Sequence, residues 1–144
     1  MKVKIKKLNP EAIIPTYAHN EDAGMDFYTS EDSSVENLST KIIKTGIAME
    51  IPEGYFLDIR PRSGISGNHP NYIANSPGTI DSSYTGEVII IVRNNSFNKK
   101  LIIPKHFKIA QGIILKKYHA EFEEVNELTN SERGDSGFGS TGDK

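Results

Sequence analysis

A stretch rich in glycine, serine and threonine carries a carboxylate three residues before a tyrosine, directly ahead of an apolar segment. It runs from Gly78 to Glu87, and Asp81 and Tyr84 are the first and fourth residues of a predicted β-turn. In a hairpin the two side chains lie opposite each other, so the carboxylate could hold a water and the ring a sugar. An ordinary hairpin, with Asp81 bonded to turn amides and Tyr84 partly in the core, explains the same residues. The pattern alone favours the ordinary hairpin.

The triplet Arg62-Ser63-Gly64 has the donors that bind an anion. Arginine offers a planar fork of N–H groups, serine offers a hydroxyl, and glycine lets backbone N–H groups approach an anion closely. Taken alone, the triplet is more simply a surface turn with a solvated arginine. It is therefore a candidate anion site that needs support from elsewhere in the chain.

The C-terminal segment has too few apolar residues to fold on its own. Ser131 to Lys144 contains four glycines and one large apolar side chain, Phe138. We therefore predict a β domain at 1–130 and a mobile tail at 131–144. The Gly, Ser, Thr and Arg residues suit a phosphate cradle, although without P-loop spacing, and a lone phenylalanine suits a nucleobase. A disordered terminus explains the composition equally well.

The dominant hydrophobic period is two residues, which is typical of β-strands. Lys2 to Leu8 alternates lysine with apolar residues, as expected of an edge strand with one solvent-exposed face. Glycine, proline or asparagine separates the further strand candidates. Many short strands with turns between them predict an all-β sandwich or jelly roll. The further candidates are Ile42–Ile51, Tyr55–Ile59, Val88–Val92, Leu101–Ile103 and Ile113–Leu115.

One segment, Ala120 to Leu128, has apolar residues at near-helical spacing, at Phe122, Val125 and Leu128. The acidic residues between them are equally consistent with an extended segment on the surface. Both structures therefore stay open for this segment.

Composition excludes several classes of function. The chain has 144 residues, no cysteine and a formal net charge of −2, which suits one domain without disulfides or thiolate metal sites. This charge gives no bulk attraction to nucleic acid or to an anionic membrane. The longest purely apolar run is five residues, and the N-terminus lacks the apolar stretch of a signal peptide. We expect a soluble, cytoplasmic protein with no nucleic-acid or membrane partner, and its scattered histidines predict no metal cage.

Five motifs resemble those of the trimeric dUTP pyrophosphatase (dUTPase) family and follow one another in the same order. They extend from residue 23 to residue 142 and so cover most of the chain. Each motif is weak alone, but five in the family's order, with a long third and fifth motif, are specific. They read AGMDF (23–27), PRSGIS (61–66), NSPGTIDSSYTGE (75–87), KIAQG (108–112) and RGDSGFGSTG (133–142).

The resemblance implies a jelly-roll homotrimer in which the C-terminal tail of one subunit closes over a pocket made by the other two. The implied reaction is hydrolysis of dUTP to dUMP and pyrophosphate, which limits uracil incorporation into DNA and supplies dUMP for dTMP synthesis. Asp81 matches the aspartate that deprotonates the water attacking the α-phosphorus. The implied cofactor is Mg²⁺ on the triphosphate oxygens, with Asp26 near the metal-bound waters.

The other motif positions imply contacts along the nucleotide. Tyr84 matches the ring packed under the deoxyribose, and Asn75 matches a residue that contacts uracil. Phe138 matches the ring that stacks on uracil, and Arg133 matches the tail arginine on the γ-phosphate. The positions implied to read uracil through the backbone are Thr79, Ile80 and Ile89, and Gly78 is a further implied substrate-binding position. The positions implied to bind phosphate are Arg62, Ser63, Gly64 and Gln111, with Gly139, Ser140 and Thr141 in the tail.

Two motifs depart from the family pattern. Lys108 stands where the fourth motif usually has arginine, and Phe107 precedes it in place of an acid. Because lysine cannot make the bidentate contact of arginine, an ion pair at this position is in doubt. Phe27 replaces a commoner leucine in the first motif. Neither departure changes Asp81, so we expect an active enzyme.

Two other functions stay open. The dCTP deaminases share the fold and the trimer, but they use a glutamate base and commonly lack the tyrosine at the sugar position. Asp81, Tyr84 and the complete fifth motif favour dUTP over dCTP. A nucleotide-sensing, protein-binding relative would keep the fold and signal when the tail closes, and the presence of Asp81 argues against a purely binding role.

Overall fold

The computed structural model describes residues 1–66 and 71–135 and is built almost entirely of β-strands. Alternation of apolar and polar residues lets a strand bury one face while the other face remains exposed to solvent. Among the described residues, the only helical element is a single turn, α1 (Ser63–Ser66). The strands are β1 (Lys4–Lys7), β2 (Met25–Tyr28), β3 (Ser33–Val35), β4 (Thr40–Glu50), β5 (Tyr55–Arg60), β6 (Asn71–Ile73), β7 (Gly78–Asp81), β8 (Glu87–Asn94), β9 (Leu101–Ile103) and β10 (Lys108–Lys116).

The strands form two four-stranded antiparallel sheets. The first has the order β1-β4-β8-β6 and the second has the order β2-β10-β5-β7. Strands β3 and β9 form a separate two-stranded ribbon. From β4 to β8 the chain changes sheet at every connection, because β4, β6 and β8 belong to the first sheet and β5 and β7 to the second. Two antiparallel sheets connected in this way form a jelly roll, which confirms the predicted fold class.

One apolar core lies between the two sheets. Leu57 and Ile59 of β5 and Val88 and Ile90 of β8 are buried in it. Ile89, which lies between two buried residues, is exposed. Successive side chains of a strand point to opposite faces of its sheet, so the residues between the buried ones are available to form a site outside the core.

All six strands predicted from the sequence are present. Strand β9 has the predicted bounds, whereas β10 begins at Lys108 rather than at Ile113. Strands β2, β3, β6 and β7 are additional to the prediction, and each has only three or four residues. In strands this short, pairing with neighbours decides the structure more than local pattern does.

The expected hairpin between β7 and β8 is wrong, although its turn is present. The backbone N–H of Tyr84 donates to the carbonyl oxygen of Asp81 over 3.1 Å, as in a β-turn. However, β7 pairs with β5, while β8 pairs with β4 on one edge and β6 on the other. Strand β7 is instead the edge partner of β5 in the second sheet, so the turn connects two different sheets.

The segment from Ala120 to Leu128 contains no helix or strand, so the helical alternative is wrong. Phe122 and Leu128 are 98% and 86% exposed, as expected of a surface segment. No helix in the described part of the chain has the length and apolar character needed to cross a membrane.

Gly112 is a position at which the core tolerates no side chain. A Cβ atom placed there would lie 2.5 Å from Phe27 Cε2 and 2.9 Å from Leu57 Cδ1, and both neighbours are fully buried. We expect Gly112→Ala to lower the free energy of unfolding by about 1–3 kcal/mol through overpacking, measured by urea denaturation. Gly64→Ala is the control for this measurement, because a Cβ at Gly64 meets no atom within 4 Å. Equal stability of the two variants would contradict the packing argument.

Candidate active site

A cavity of about 240 Å³ opens between β7 and β8, and we name it the Tyr84 cavity. Apolar side chains from the edge of the core form part of its wall, and the turn after β7 supplies the polar part. Seven of the eight residues expected to activate water or to contact the sugar and the base line this cavity, and the eighth, Phe138, lies outside the described residues. The seven are Asn75, Gly78, Thr79, Ile80, Asp81, Tyr84 and Ile89. The other lining residues are Ile59, Ile73, Glu87, Ile90 and Ile91.

Tyr84 is held by the turn that carries it. Its hydroxyl donates to the backbone carbonyl oxygen of Glu87 over 2.9 Å. Its ring lies against Gly86, where a Cβ atom would come within 2.7 Å of Tyr84 Cζ. Gly86 therefore leaves the space that the phenol occupies. Tyr84 is 44% exposed and forms part of the cavity wall.

Asp81 ends β7 at the rim of the Tyr84 cavity. It is exposed, and its partner across the sheet is Phe56 of β5. No other described residue bonds its carboxylate. An ionised carboxylate has two oxygens that accept hydrogen bonds, so Asp81 can hold a water beside the cavity.

Asn75 approaches the backbone where β7 begins. Its Nδ2 atom lies 3.1 Å from the position that a Cβ atom on Gly78 would occupy. The Asn75 side chain is exposed, and its amide carries both donors and an acceptor. Such a group can read the polar edge of a heterocycle that enters the cavity.

A second cavity, of about 330 Å³, lies near the end of β5 and the middle of β10, and we name it the Arg62 cavity. Arg62, Ser63 and Gly64, at the start of α1, line it together with Gln111 of β10 and Asp26 of β2. The expected phosphate-binding residues of the second and fourth motifs therefore lie around one space. The other lining residues are Ala18, Asp22, Ala23, Gly24 and Ile113.

Asp26 is a buried carboxylate shared by two cations. Its Oδ1 lies 2.7 Å from Arg62 Nε, and its Oδ2 lies 2.7 Å from Lys108 Nζ. The hydrogen bond to Asp26, followed by the charge of Asp26, raises the pKa of Lys108. The contribution of Lys108 to this contact is therefore present at neutral pH and is lost as the pH rises through the raised pKa of Lys108. Lys108 therefore forms an ion pair at the position where its replacement of the family's arginine had put such a pair in doubt.

Direct binding of a metal ion to Asp26 is disfavoured by charge, because both carboxylate oxygens already face a positive group. Within residues 1–66 and 71–135, no group of three His, Cys, Asp or Glu residues could hold a metal. The expected action of Asp26 on a metal through water stays a prediction.

Gln111 is positioned by contacts with the backbone of Pro61 and with Gly24. Its Nε2 atom donates to the carbonyl oxygen of Pro61 over 2.7 Å. A Cβ atom at Gly24 would lie 2.5 Å from Gln111 Oε1, so Gly24 is the residue that allows this approach. Gly24 is the glycine of the AGMDF motif, and it is the one feature of the sequence that could have indicated this close approach. Asp22 and Glu87 also line the cavities without having been expected there.

The two cavities lie apart within one chain and have no lining residue in common among the described residues. Asp81 pairs with Phe56, and Gln111 pairs with Arg60, four residues farther along β5. Strands β7 and β10 flank β5 on opposite sides. At the usual rise and strand spacing, Asp81 and Gln111 are separated by about 13 Å along the strands and about 10 Å across them.

Four expected site residues of the tail lie outside the described residues, namely Phe138, Gly139, Ser140 and Thr141. Arg133 is described and is exposed. The expected division at residue 131 and the contacts of these five residues stay predictions.

Comparison with known proteins gives one consistent result. A sequence model of the dUTPase family matches residues 10–142. The deoxyuridine 5'-triphosphate nucleotidohydrolase of Clostridioides difficile is 49% identical over 140 residues, which cover 97% of each chain. The Staphylococcus bacteriophage 80alpha dUTPase with dUPNHPP has a TM-score of 0.91 at 30% identity, covering 98% of each chain. A D95N mutant dUTPase of phage phi11 of S. aureus, in which a structural Mg(II) ion is coordinated, has a TM-score of 0.82 at 26% identity, covering 89% of this chain and 99% of that one.

Proposed function

The chain belongs to the dUTPase family, and from that premise we propose how its two cavities hydrolyse dUTP to dUMP and pyrophosphate. The observation that carries the proposal is the turn after β7, which brings Asp81 and Tyr84 to one cavity. A carboxylate open to water and an aromatic wall beside it suit a base next to a bound nucleoside.

Asp81 is the general base. A water held by its carboxylate gives a proton to Asp81 while the water oxygen bonds to the α-phosphorus. The bond from that phosphorus to the oxygen bridging to the β-phosphate breaks, and pyrophosphate leaves with the electron pair. The exposed position of Asp81, with no competing bond from another described residue, supports this role.

The Tyr84 cavity selects the nucleoside. The Tyr84 ring is held against Gly86 and by the carbonyl of Glu87. A ring fixed in this way packs under the deoxyribose and excludes a 2′-hydroxyl. Asn75 and the backbone of β7 read the uracil edge. A mismatched hydrogen-bonding edge leaves buried polar groups unpaired and costs more than one extra methyl. We therefore expect cytosine to be excluded more firmly than thymine.

The Arg62 cavity binds the phosphates. Arg62, Ser63, Gly64 and Gln111 surround it with donors, and the contact with Asp26 holds the Arg62 guanidinium in place. Arginine and backbone N–H groups suit the charge and geometry of phosphate oxygens.

Mg²⁺ would be held chiefly by the triphosphate oxygens of the substrate rather than by the described residues. The described residues offer no ligand cluster, and Asp26 is already neutralised by Arg62 and Lys108. This donor set fits Mg²⁺ only as a largely hydrated ion held by substrate phosphates. When bound, the ion neutralises charge on the triphosphate. Asp26 could still accept hydrogen bonds from water on such an ion, because each of its oxygens has a second lone pair beside its contact with a cation.

Each active site is shared between subunits of a homotrimer. The α-phosphorus must lie close to the water on Asp81 while its oxygens meet the phosphate donors, so the two groups need to be within about two hydrogen-bond lengths of it. The separation of Asp81 and Gln111 within one chain is larger than this. The Tyr84 cavity of one subunit therefore works with the Arg62 cavity of a neighbour, and the tail, with Arg133 and Phe138, closes over both.

A dCTP deaminase activity is not favoured, because the family match and the named relatives are dUTPases. A sensing role in addition to hydrolysis has no specific support in the described residues. The function of the chain is therefore that of a dUTP diphosphatase.

Pyrophosphate release from dUTP, dCTP, dTTP and UTP, each with magnesium and with magnesium plus chelator, tests this function. We expect release from dUTP alone and its loss with chelator, because the Tyr84 cavity rejects the other nucleosides and the triphosphate needs a counter-ion. Release from all four would show that the cavity does not discriminate. Ammonia from dCTP without pyrophosphate from dUTP would replace the proposed function by deamination.

A further inference from the structure

Strand β4 contains a bulge directly opposite the beginning of β8. Lys44 pairs with Ile89 and Ala48 pairs with Glu87. The three residues from Thr45 to Ile47 therefore face a single residue of β8, and Gly46 adopts a positive φ of 68°. A bulge of this kind interrupts the ladder and leaves backbone groups without their usual strand partners.

Two side chains supply the hydrogen bonds that the bulge removes. The Glu87 Oε1 atom accepts the backbone N–H of Gly46 over 2.7 Å. The buried Thr45 hydroxyl donates to the carbonyl oxygen of Val88 over 2.5 Å. A carboxylate that accepts a backbone N–H makes a charge-assisted bond, which is stronger than a bond between neutral groups. Glu87 is thereby tied to β4.

The bulge itself has little freedom to move. A Cβ atom at Gly46 would lie 2.8 Å from the Cβ of Ala12 and 3.0 Å from the Cβ of Ser30. The carbonyl oxygen of Gly46 also accepts the backbone N–H of Leu8 over 2.8 Å. The Gly46 N–H is therefore a fixed point against which Glu87 is held.

The same residue, Glu87, holds the tyrosine of the Tyr84 cavity. Its backbone carbonyl accepts the Tyr84 hydroxyl, and its side chain bonds Gly46. A continuous chain of hydrogen bonds thus runs from the bulge of β4 through Glu87 to the phenol. Tyr84 is 44% exposed, so core packing alone does not fix its ring.

We propose that Glu87 is a positioning residue that sets the discrimination between deoxyribose and ribose, by anchoring Tyr84 to the bulge at Gly46. The proposal rests on the proposed dUTPase function and assigns its sugar selectivity to a side chain other than the one that touches the sugar. Without the carboxylate, β8 starts at a less defined position, the phenol loses its fixed acceptor, and the ring can move to admit a 2′-hydroxyl.

The test compares kcat/KM for dUTP with kcat/KM for UTP in three variants. Glu87→Ala removes the acceptor for Gly46, Glu87→Gln keeps an amide oxygen there, and Tyr84→Phe removes the bond from the other end. We expect Glu87→Ala to lower the ratio for dUTP over UTP by at least about tenfold, chiefly through a lower KM for UTP, because the excluded group is a single small substituent. Glu87→Gln is expected to recover most of this ratio.

A double variant shows whether the two residues act through one link. If they do, Glu87→Ala with Tyr84→Phe loses no more discrimination than the worse single variant. An unchanged ratio in Tyr84→Phe, which leaves the bulge intact, would overturn the proposal even if Glu87→Ala fails to fold. A lower melting temperature with an unchanged ratio in Glu87→Ala would likewise reduce Glu87 to a structural role. Failure of the unsubstituted protein to hydrolyse dUTP would instead refute the proposed function, so the two failures are distinct.

Discussion

Replacing Asp81 by asparagine is expected to lower kcat for dUTP by about 10²–10⁴-fold while leaving nucleotide binding nearly unchanged. The amide keeps the size of the side chain at the end of β7 but cannot take a proton from the attacking water. The fold does not depend on this carboxylate, because no other described residue bonds it. Pyrophosphate release gives kcat, and calorimetry with a non-hydrolysable dUTP analogue gives the dissociation constant.

The matched control is Glu53→Gln, which neutralises an exposed carboxylate that lines neither cavity. It is expected to retain both turnover and binding, because it changes the net charge as Asp81→Asn does but leaves the site intact. Full turnover by Asp81→Asn would mean that another group deprotonates the water. A parallel loss of binding and turnover would mean that Asp81 positions the nucleotide.

The strands could be predicted where the sequence has an apolar or alternating pattern of its own. They could not be predicted where pairing with a neighbouring strand determines the structure. Strand β9 and the apolar centre of β8 are rich in isoleucine and valine, and both were identified from the sequence. Strand β6 has the sequence NYI and β7 has the sequence GTID, which are too short and too polar to show a period of two. Both become strands by pairing with a longer neighbour, β8 or β5.

The candidate site was predictable as a set of residues but not as a network. The turn at Asp81 and Tyr84 is local, so the sequence predicts it, and the structure confirms the turn while the two strands join different sheets. The Asp26–Lys108 pair joins positions 82 residues apart, and its geometry depends on the pairing of β2 with β10. The bond from Gly46 to Glu87 depends in the same way on a bulge that no local pattern predicts.

A mixed assembly of two inactive variants is expected to regain activity. Asp81→Asn lacks the base, and Arg62→Ala lacks a phosphate donor, while Lys108 still neutralises Asp26 in the second variant. Because Asp81 and the Arg62 cavity are far apart in one chain, a site that uses both must draw them from different subunits. Each variant can therefore supply the residue that the other has lost.

The size of the recovered activity follows from trimer geometry. Co-expression with two different affinity tags, followed by purification on both, selects trimers that contain both variants. In a closed ring with either two-to-one composition, one interface joins an intact Asp81 to an intact Arg62 of its neighbour, so about one third of the sites should be active. The measurement is kcat per trimer relative to the unsubstituted protein, with each variant alone as the control.

If both residues of a site came from one chain, every site would carry a substitution and the mixture would stay as inactive as its parents. Failure of the two tags to co-purify would contradict the proposed oligomer itself.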